Sequence, residues 1–284
     1  MTRAGPRPRF AASPEGLADA VIADILSQPS VGAEYQPLVD VVTGQIAGYE
    51  ALSRFRTRMG EPVPPDRVFK ALHQSLPALY DIEFRAKRDQ IAHAPTGVPL
   101  FVNLDPDAFV AGGGDSPDNP LMALLSLRND IGVEIIENSS VADSRLSLAM
   151  LRHLRVLGVR VALDDIGGGE SLLSFAVLAG IDDMKIARDW LDRRDDPVAQ
   201  RLLSALAGFG RDTGKRLIFE GIETEADLAW ARSQGADLVQ GFLYRPQFIT
   251  WQPEPAPAQP PHRRGTGPIV RSRRSELAWT HERR

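Results

Sequence analysis

Seven short apolar runs of the chain end at or beside a side chain that could do chemistry: Glu50, Asn103, Glu134, the pair Asp164 and Asp165, Lys185, Glu220 and Gln240. Such groups are seldom buried without partners. Five carboxylates and one ammonium brought to one place would sum to −4. Raised carboxyl pKa values or bound cations must relieve that repulsion, and two divalent cations would cancel it. Carboxylate and amide oxygens suit hard ions such as Mg²⁺ or Mn²⁺. No histidine stands at these positions, which makes zinc and copper poor candidates. His73, His93 and His153 fall in helical stretches and His262 and His281 near the C-terminal end, and all five read as surface or packing residues. With no cysteine, the chain has no thiolate nucleophile, disulfide or Cys-ligated metal. Neighbouring Asp164 and Asp165 would face opposite ways in a strand. Both reach one site only where strand gives way to loop, a break expected from Gly167, Gly168 and Gly169.

The elements that must position these residues are strands alternating with helices. Strands are predicted at Ala33–Val42, Ile46–Leu52, Pro99–Leu104, Ile131–Ile136, Val159–Leu163, Asp183–Ile186, Leu217–Phe219 and Ala236–Leu243. Between them lie helical patterns with clear signals. Asp196-Pro197 opens one that closes near Gly214, Thr224 with Asp227 opens another, and a leucine-rich run from Leu146 to Leu157 stops at Gly158. The count and order predict an α/β fold, a (β/α)8 TIM-like barrel whose catalytic groups project from the carboxyl ends of the strands. The first two strands depart from the pattern. Thr43-Gly44-Gln45 is too short for a parallel crossover, so they should form an antiparallel hairpin.

In composition the 284 residues are ordinary for a soluble globular protein, with 43% hydrophobic and 25% charged. No run is long and apolar enough to span a membrane, and the basic, Pro-rich start lacks an apolar signal core. A cytoplasmic location is expected. Three segments are expected: an N-terminal extension over 1–30 with a short helix capped by Ser13, the barrel domain over 31–249, and a tail over 250–284. The tail carries seven Arg against three Glu, a local +4 that leaves −8 on the rest. Its Pro- and Arg-rich composition cannot fill a core and predicts disorder. It could bind an acidic partner, or be a solvated tail with no dedicated one.

The sequence resembles the EAL-domain cyclic-di-GMP phosphodiesterases. Glu50-Ala51-Leu52 with Arg54 looks like the family signature, and in family order follow Val102-Asn103-Leu104, Glu134-Ile135-Ile136-Glu137, Asp164-Asp165-Ile166-Gly167, Asp183-Met184-Lys185-Ile186, Glu220-Gly221-Ile222-Glu223 and Gln240-Gly241, with Tyr35-Gln36-Pro37 upstream. The resemblance spans about residues 34 to 247. It implies that Glu50, Asn103, Glu134 and Asp164 hold one Mg²⁺ or Mn²⁺, and that Asp164, Asp165 and Glu220 hold a second, with Asp164 bridging. It further implies that Lys185 orients the attacking water, that Gln240 supports the water or substrate network, that Gln36 and Arg54 contact cyclic-di-GMP, and that Glu137 braces the loop after Asp165. The implied reaction is hydrolysis to linear pGpG, in a possible homodimer. A slow or inactive cyclic-di-GMP receptor and a protein-interaction module are the alternatives.

This chain departs from the family where Asp-Asp-Phe-Gly-Thr-Gly-Tyr-Ser-Ser is usual. It reads Asp164-Asp165-Ile166-Gly167-Gly168-Gly169-Glu170-Ser171-Leu172, and Ala187 replaces an Asp usual two residues after the lysine. The three glycines are expected to loosen the loop and so to weaken the second cation site or make activity depend on a partner.

Overall fold

The computed structural model describes residues 17–136, 141–169 and 172–254. In chain order its strands are β1 (Gly32–Asp40), β2 (Ile46–Arg56), β3 (Pro62–Val63), β4 (Leu100–Asn103), β5 (Ile131–Ile136), β6 (Arg160–Ile166), β7 (Asp183–Ile186), β8 (Arg216–Phe219), β9 (Leu238–Val239) and β10 (Ile249–Trp251). Strands β2, β4, β5, β6, β7, β8 and β9 run parallel, each beside the next. Strand β1 closes the ring, antiparallel to both β2 and β9. The result is a closed barrel of eight strands with the antiparallel first strand that the short Thr43-Gly44-Gln45 connection requires. The short β3 and β10 add at its rim.

The helices are α1 (Asp19–Ser27), α2 (Pro65–Leu72), α3 (Leu76–Ala92), α4 (Pro106–Ala111), α5 (Pro120–Leu125), α6 (Val141–Val156), α7 (Phe175–Gly180), α8 (Asp189–Asp192), α9 (Pro197–Asp212) and α10 (Glu225–Ser233). Their boundaries follow local chemistry. The Asp196 carboxylate accepts from Val198 N–H ahead of Pro197, and Thr224 and Asp227 form a reciprocal capping box. Gly158, in the left-handed region, separates α6 from β6. Helix α1 starts at Asp19 without a side-chain cap, later than the Ser13 signal, and Ser13 lies outside the described residues. Its Ile22 and Ile25 are buried in the main core.

The main core fills the space between the strands' outer faces and the helices. A second, separate cluster of Leu38, Phe101, Ala162, Ile218 and Leu238 comes from five strands spread around the ring, so it lies inside the barrel. Below it, the fully buried Asp183 is paired with Arg160 and Arg216 from the flanking strands. The last predicted strand is shorter than expected. Only Leu238–Val239 pairs with β8, because the chain turns at Gly241, which lies so close to the Ile222 backbone that no side chain would fit. After a 3₁₀ turn over Phe242–Gln247 the chain returns as β10, and Trp251 stacks on His93 with ring centroids 3.7 Å apart. The chain separates into Met1–Glu254 and Pro255–Arg284, the latter outside the described residues.

Inside the barrel, a Cβ on Gly132 would stand 2.5 Å from the Phe101 ring, which is itself buried. Gly132→Ala is expected to cost about 1–3 kcal/mol by overpacking. Calorimetry should show this as a melting temperature lower by roughly 3–10 °C.

Candidate metal centre

Side chains in a strand alternate between faces, so residues two positions beyond the interior apolar layer also point inward, one level higher. Phe101 is followed by Asn103, Ala162 by Asp164, Ile218 by Glu220 and Leu238 by Gln240. Register supplies the rest: Asn103 sits beside Glu134 on β5, and Gln36 on β1 opposes Glu50 on β2. The barrel thus carries a polar layer on an apolar floor, at the carboxyl ends of its parallel strands.

The ammonium of Lys185 stands at the centre of that layer. Its Nζ lies 2.7 Å from Glu134 Oε2, 2.7 Å from Asp164 Oδ1, 2.8 Å from Glu220 Oε1 and 3.3 Å from Glu50 Oε2. Glu50 is gripped further. Asn103 Nδ2 donates to its Oε1 at 2.8 Å, and Gln240 Nε2 donates to its Oε2 at 2.6 Å. Gln240 also donates to Gln36 Oε1 at 3.3 Å. Six of the seven strand ends named from the sequence therefore meet around one ammonium.

Of the remaining predicted residues, Asp165, Gln36 and Arg54 lie at the edge. Asp165 is exposed at the rim, makes no ion pair with Lys185 and has φ 55°, in the left-handed region. Strand β6 does not give way at the glycines as expected: its pairing with β7 slips between Leu163 and Ile166, so the break is a bulge at the aspartates themselves. Arg54 donates to Glu34 Oε1 at 2.6 Å, and Gln36 donates to the same oxygen at 3.0 Å. Sequence reasoning missed Glu34. Its signal was parity, since it shares the inward face of β1 with Gln36. Glu137 lies outside the described residues.

The electrostatics follow from one cation among too many anions. Burial pulls Lys185 down, but Asp164, Glu134, Glu220 and Glu50 hold it well above the usual lysine range, so it stays an ammonium. Burial pushes Glu220 up to about 8, with Asp164 and Glu50 adding to the effect and Lys185 opposing it. Burial, reinforced by neighbouring carboxylates, likewise raises Glu134 and Asp164, and partial desolvation at the rim together with the Asp164 charge raises Asp165. Among the four carboxylates that touch Lys185, only Glu50 ends below its ordinary value: burial raises it, but Lys185, Gln240 and Asn103 together outweigh that. Glu134 Oε1 and Gln240 Oε1 are buried without a hydrogen-bond partner, and Asp164 Oδ1 touches Lys185 without hydrogen-bond alignment. Surplus negative charge with orphaned acceptor oxygens fits divalent cations held by oxygen.

A second group, His73, Asp105 and Asp107, lies at the surface. There Asp105 caps α4 and accepts from or ion-pairs with His73 Nε2 at 2.9 Å, which accounts for its carboxylate without a metal.

The family model described as EAL domain matches residues 19–247, and so takes in α1 as well as the barrel. The chain is 24% identical over 234 residues to the probable cyclic di-GMP phosphodiesterase PdeN of Escherichia coli K12, covering 78% of this chain and 45% of that protein. It is 28% identical over 218 residues to the bifunctional diguanylate cyclase/cyclic di-GMP phosphodiesterase MucR of Pseudomonas aeruginosa, covering 74% and 32%. The chain thus spans less than half the length of these curated relatives. Among solved structures, it resembles the PaMucR phosphodiesterase in complex with c-di-GMP, with TM-score 0.66 and 25% identity over 79% of this chain and 94% of that one. It also resembles the Klebsiella pneumoniae BlrP1 manganese/cy-diGMP complex at pH 6, with TM-score 0.62 and 26% identity over 76% of this chain and 55% of that one. Among the described residues, no helix is long and apolar enough to cross a membrane.

Carboxyls with raised pKa values hold protons that a cation would have to expel, so metal binding would strengthen as pH rises through the Glu220 value of about 8. At one fixed Mn²⁺ concentration, the gain in melting temperature should be larger at about pH 8 than at about pH 6, by on the order of 5 °C. Equal gains at the two pH values would contradict the charge surplus.

Proposed function

The chain belongs to the EAL domain family, and on that premise we propose that it is a metal-dependent phosphodiesterase that hydrolyses one 3′,5′-phosphodiester of cyclic-di-GMP to linear pGpG. The observation that carries this reading is the convergence of Glu50, Glu134, Asp164 and Glu220 on the Lys185 ammonium, with Asn103 and Gln240 fastened to Glu50. A receptor that had abandoned hydrolysis would have no use for so costly a cluster of buried charge. Glu50, Asn103, Glu134 and Asp164 would hold one Mg²⁺ or Mn²⁺, and Asp164, Asp165 and Glu220 the other. Once bound, the cations would supply an activated water and neutralise charge on the phosphoryl oxygens.

The chain's own residues do the rest. Lys185 keeps its proton, so it acts as a fixed positive charge that orders four carboxylates and steers water, and not as a base. Arg54 presents a guanidinium at the rim for a phosphate. It is preorganised by Glu34, whose carboxyl is raised by burial but brought below its ordinary value by Arg54 and Gln36. Gln240 and Gln36 link the substrate side of the mouth to Glu50, so a ligand engaging either amide is felt at a cation-binding carboxylate. The cations, the cyclic dinucleotide and a cytoplasmic site of action all belong to this proposal.

Purified protein with cyclic-di-GMP and Mg²⁺ or Mn²⁺ should release pGpG, followed by chromatography, and Glu50→Ala should abolish the release. Lys185→Met is expected to lower kcat by about 100-fold or more, by analogy with the loss of one preorganised electrostatic group, while leaving cyclic-di-GMP binding within a few fold. Tight binding of the dinucleotide by wild type without turnover would replace the enzyme with a receptor.

A further inference from the structure

The three glycines after Asp165 are not a slack loop at their start. Gly167 has φ 79°, and a Cβ there would lie 2.5 Å from Trp190 Nε1. The Trp190 ring is almost fully buried, and its Nε1–H donates to Ile166 O at 2.8 Å. The same carbonyl accepts from Ala187 N–H at 3.3 Å. One residue on, a Cβ at Gly168 would meet Ala187 Cβ at 3.2 Å, and Gly169 N–H donates to Asp189 Oδ2 at 3.1 Å. Inside the turn, Gly168 N–H donates to Asp165 O at 2.9 Å. The turn is therefore bonded at both flanks, Ile166 and Gly169, to the segment 187–190, and Gly167 and Gly168 lie close against it; that segment leaves the barrel two residues after Lys185. Glycine is required at 167 because the indole occupies the place of a side chain, and a side chain at 168 would crowd the Ala187 methyl.

We propose that Trp190 and Asp189 are positioning residues for Asp165. The clamp on Ile166 O and Gly169 N–H holds both flanks of the turn, so the left-handed backbone at Asp165 is set before any ligand arrives. Asp165 is then presented to the mouth at little entropic cost. Through Ala187 and Trp190 the clamp ties the end of β6, with Asp164 and Asp165, to the end of β7, with Lys185. The two strand ends move as one piece. This inference rests on the reading above that Asp165 helps hold one of two cations.

The test is a Mn²⁺ titration of the full chain, with free Mn²⁺ followed by electron paramagnetic resonance and thermal unfolding used to verify that each variant is folded. Trp190→Phe keeps a buried ring but cannot donate to Ile166 O. Asp189→Ala removes the acceptor for Gly169 N–H, and Asp189→Asn retains an acceptor while losing the charge. Wild type is expected to bind two ions. Trp190→Phe and Asp189→Ala should weaken one of them by about 10-fold or more, as loss of an outer support does, and leave the other within about 2-fold. Asp189→Asn should stay near wild type, which separates a hydrogen-bonding role from simple attraction of the cation. Two ions bound with wild-type affinity by folded Trp190→Phe and Asp189→Ala would overturn the clamp alone. So would a loss in Asp189→Asn equal to that in Asp189→Ala. Fewer than two ions bound by wild type would overturn the two-cation reading, and the clamp's role with it.

Discussion

Everything at the mouth of this barrel answers to one interaction, the Lys185 ammonium fully buried among Glu50, Glu134, Asp164 and Glu220. A charge taken out of water costs several kcal/mol even after relaxation, and removing one partner of a buried pair costs about 3–5 kcal/mol. The lysine is thus the least cation that lets four acids share one space, and it is not enough. The acids respond as a group: most bind protons more tightly than they would in water, while Glu50, with two amide donors besides the lysine, does not. An apolar floor of Leu38, Phe101, Ala162, Ile218 and Leu238 keeps water from relieving the repulsion from beneath. Relief must come from the mouth, as protons or as cations.

That constraint explains why rigid strands carry the acids and irregular backbone is confined to the rim. Seven of the eight barrel strands run in one direction and deliver their inward side chains at one level. The eighth, β1, runs antiparallel, and among the parallel strands β6 is irregular, because a second aspartate is wanted within one residue of the first. A regular strand would turn it to the outer face, so the pairing slips between Leu163 and Ile166 and Asp165 takes a left-handed conformation costing about 1–3 kcal/mol. The neighbouring Trp190 and Asp189 hold the turn that absorbs this strain.

Much of this was legible from residues alone. Their position at the ends of apolar runs placed Glu50, Asn103, Glu134, Asp164, Lys185, Glu220 and Gln240 at one end of the barrel, and the short Thr43-Gly44-Gln45 connection required an antiparallel β1. What escaped depends on contacts distant in sequence. The glycines after Asp165 read as loss of restraint because nothing local announces that Trp190 packs into the space that Gly167 leaves. Glu34 went unnoticed because its importance comes from Arg54 across the hairpin. Strand β10 is only three residues long, and what marks it is pairing with β1 and the stacking of Trp251 on His93, neither of which has a periodic signature.

On the proposed reading, the acidic layer is a cage for divalent cations in which Lys185 stands in for part of the missing charge. Its most direct test is anomalous diffraction from crystals grown with Mn²⁺. Two manganese peaks are expected within bonding distance of the carboxylates of Glu50, Glu134, Asp164, Asp165 and Glu220, with the Lys185 ammonium moved away from the centre of the acids. Manganese only at His73, Asp105 and Asp107, or an undisturbed lysine with no peak beside it, would contradict the account.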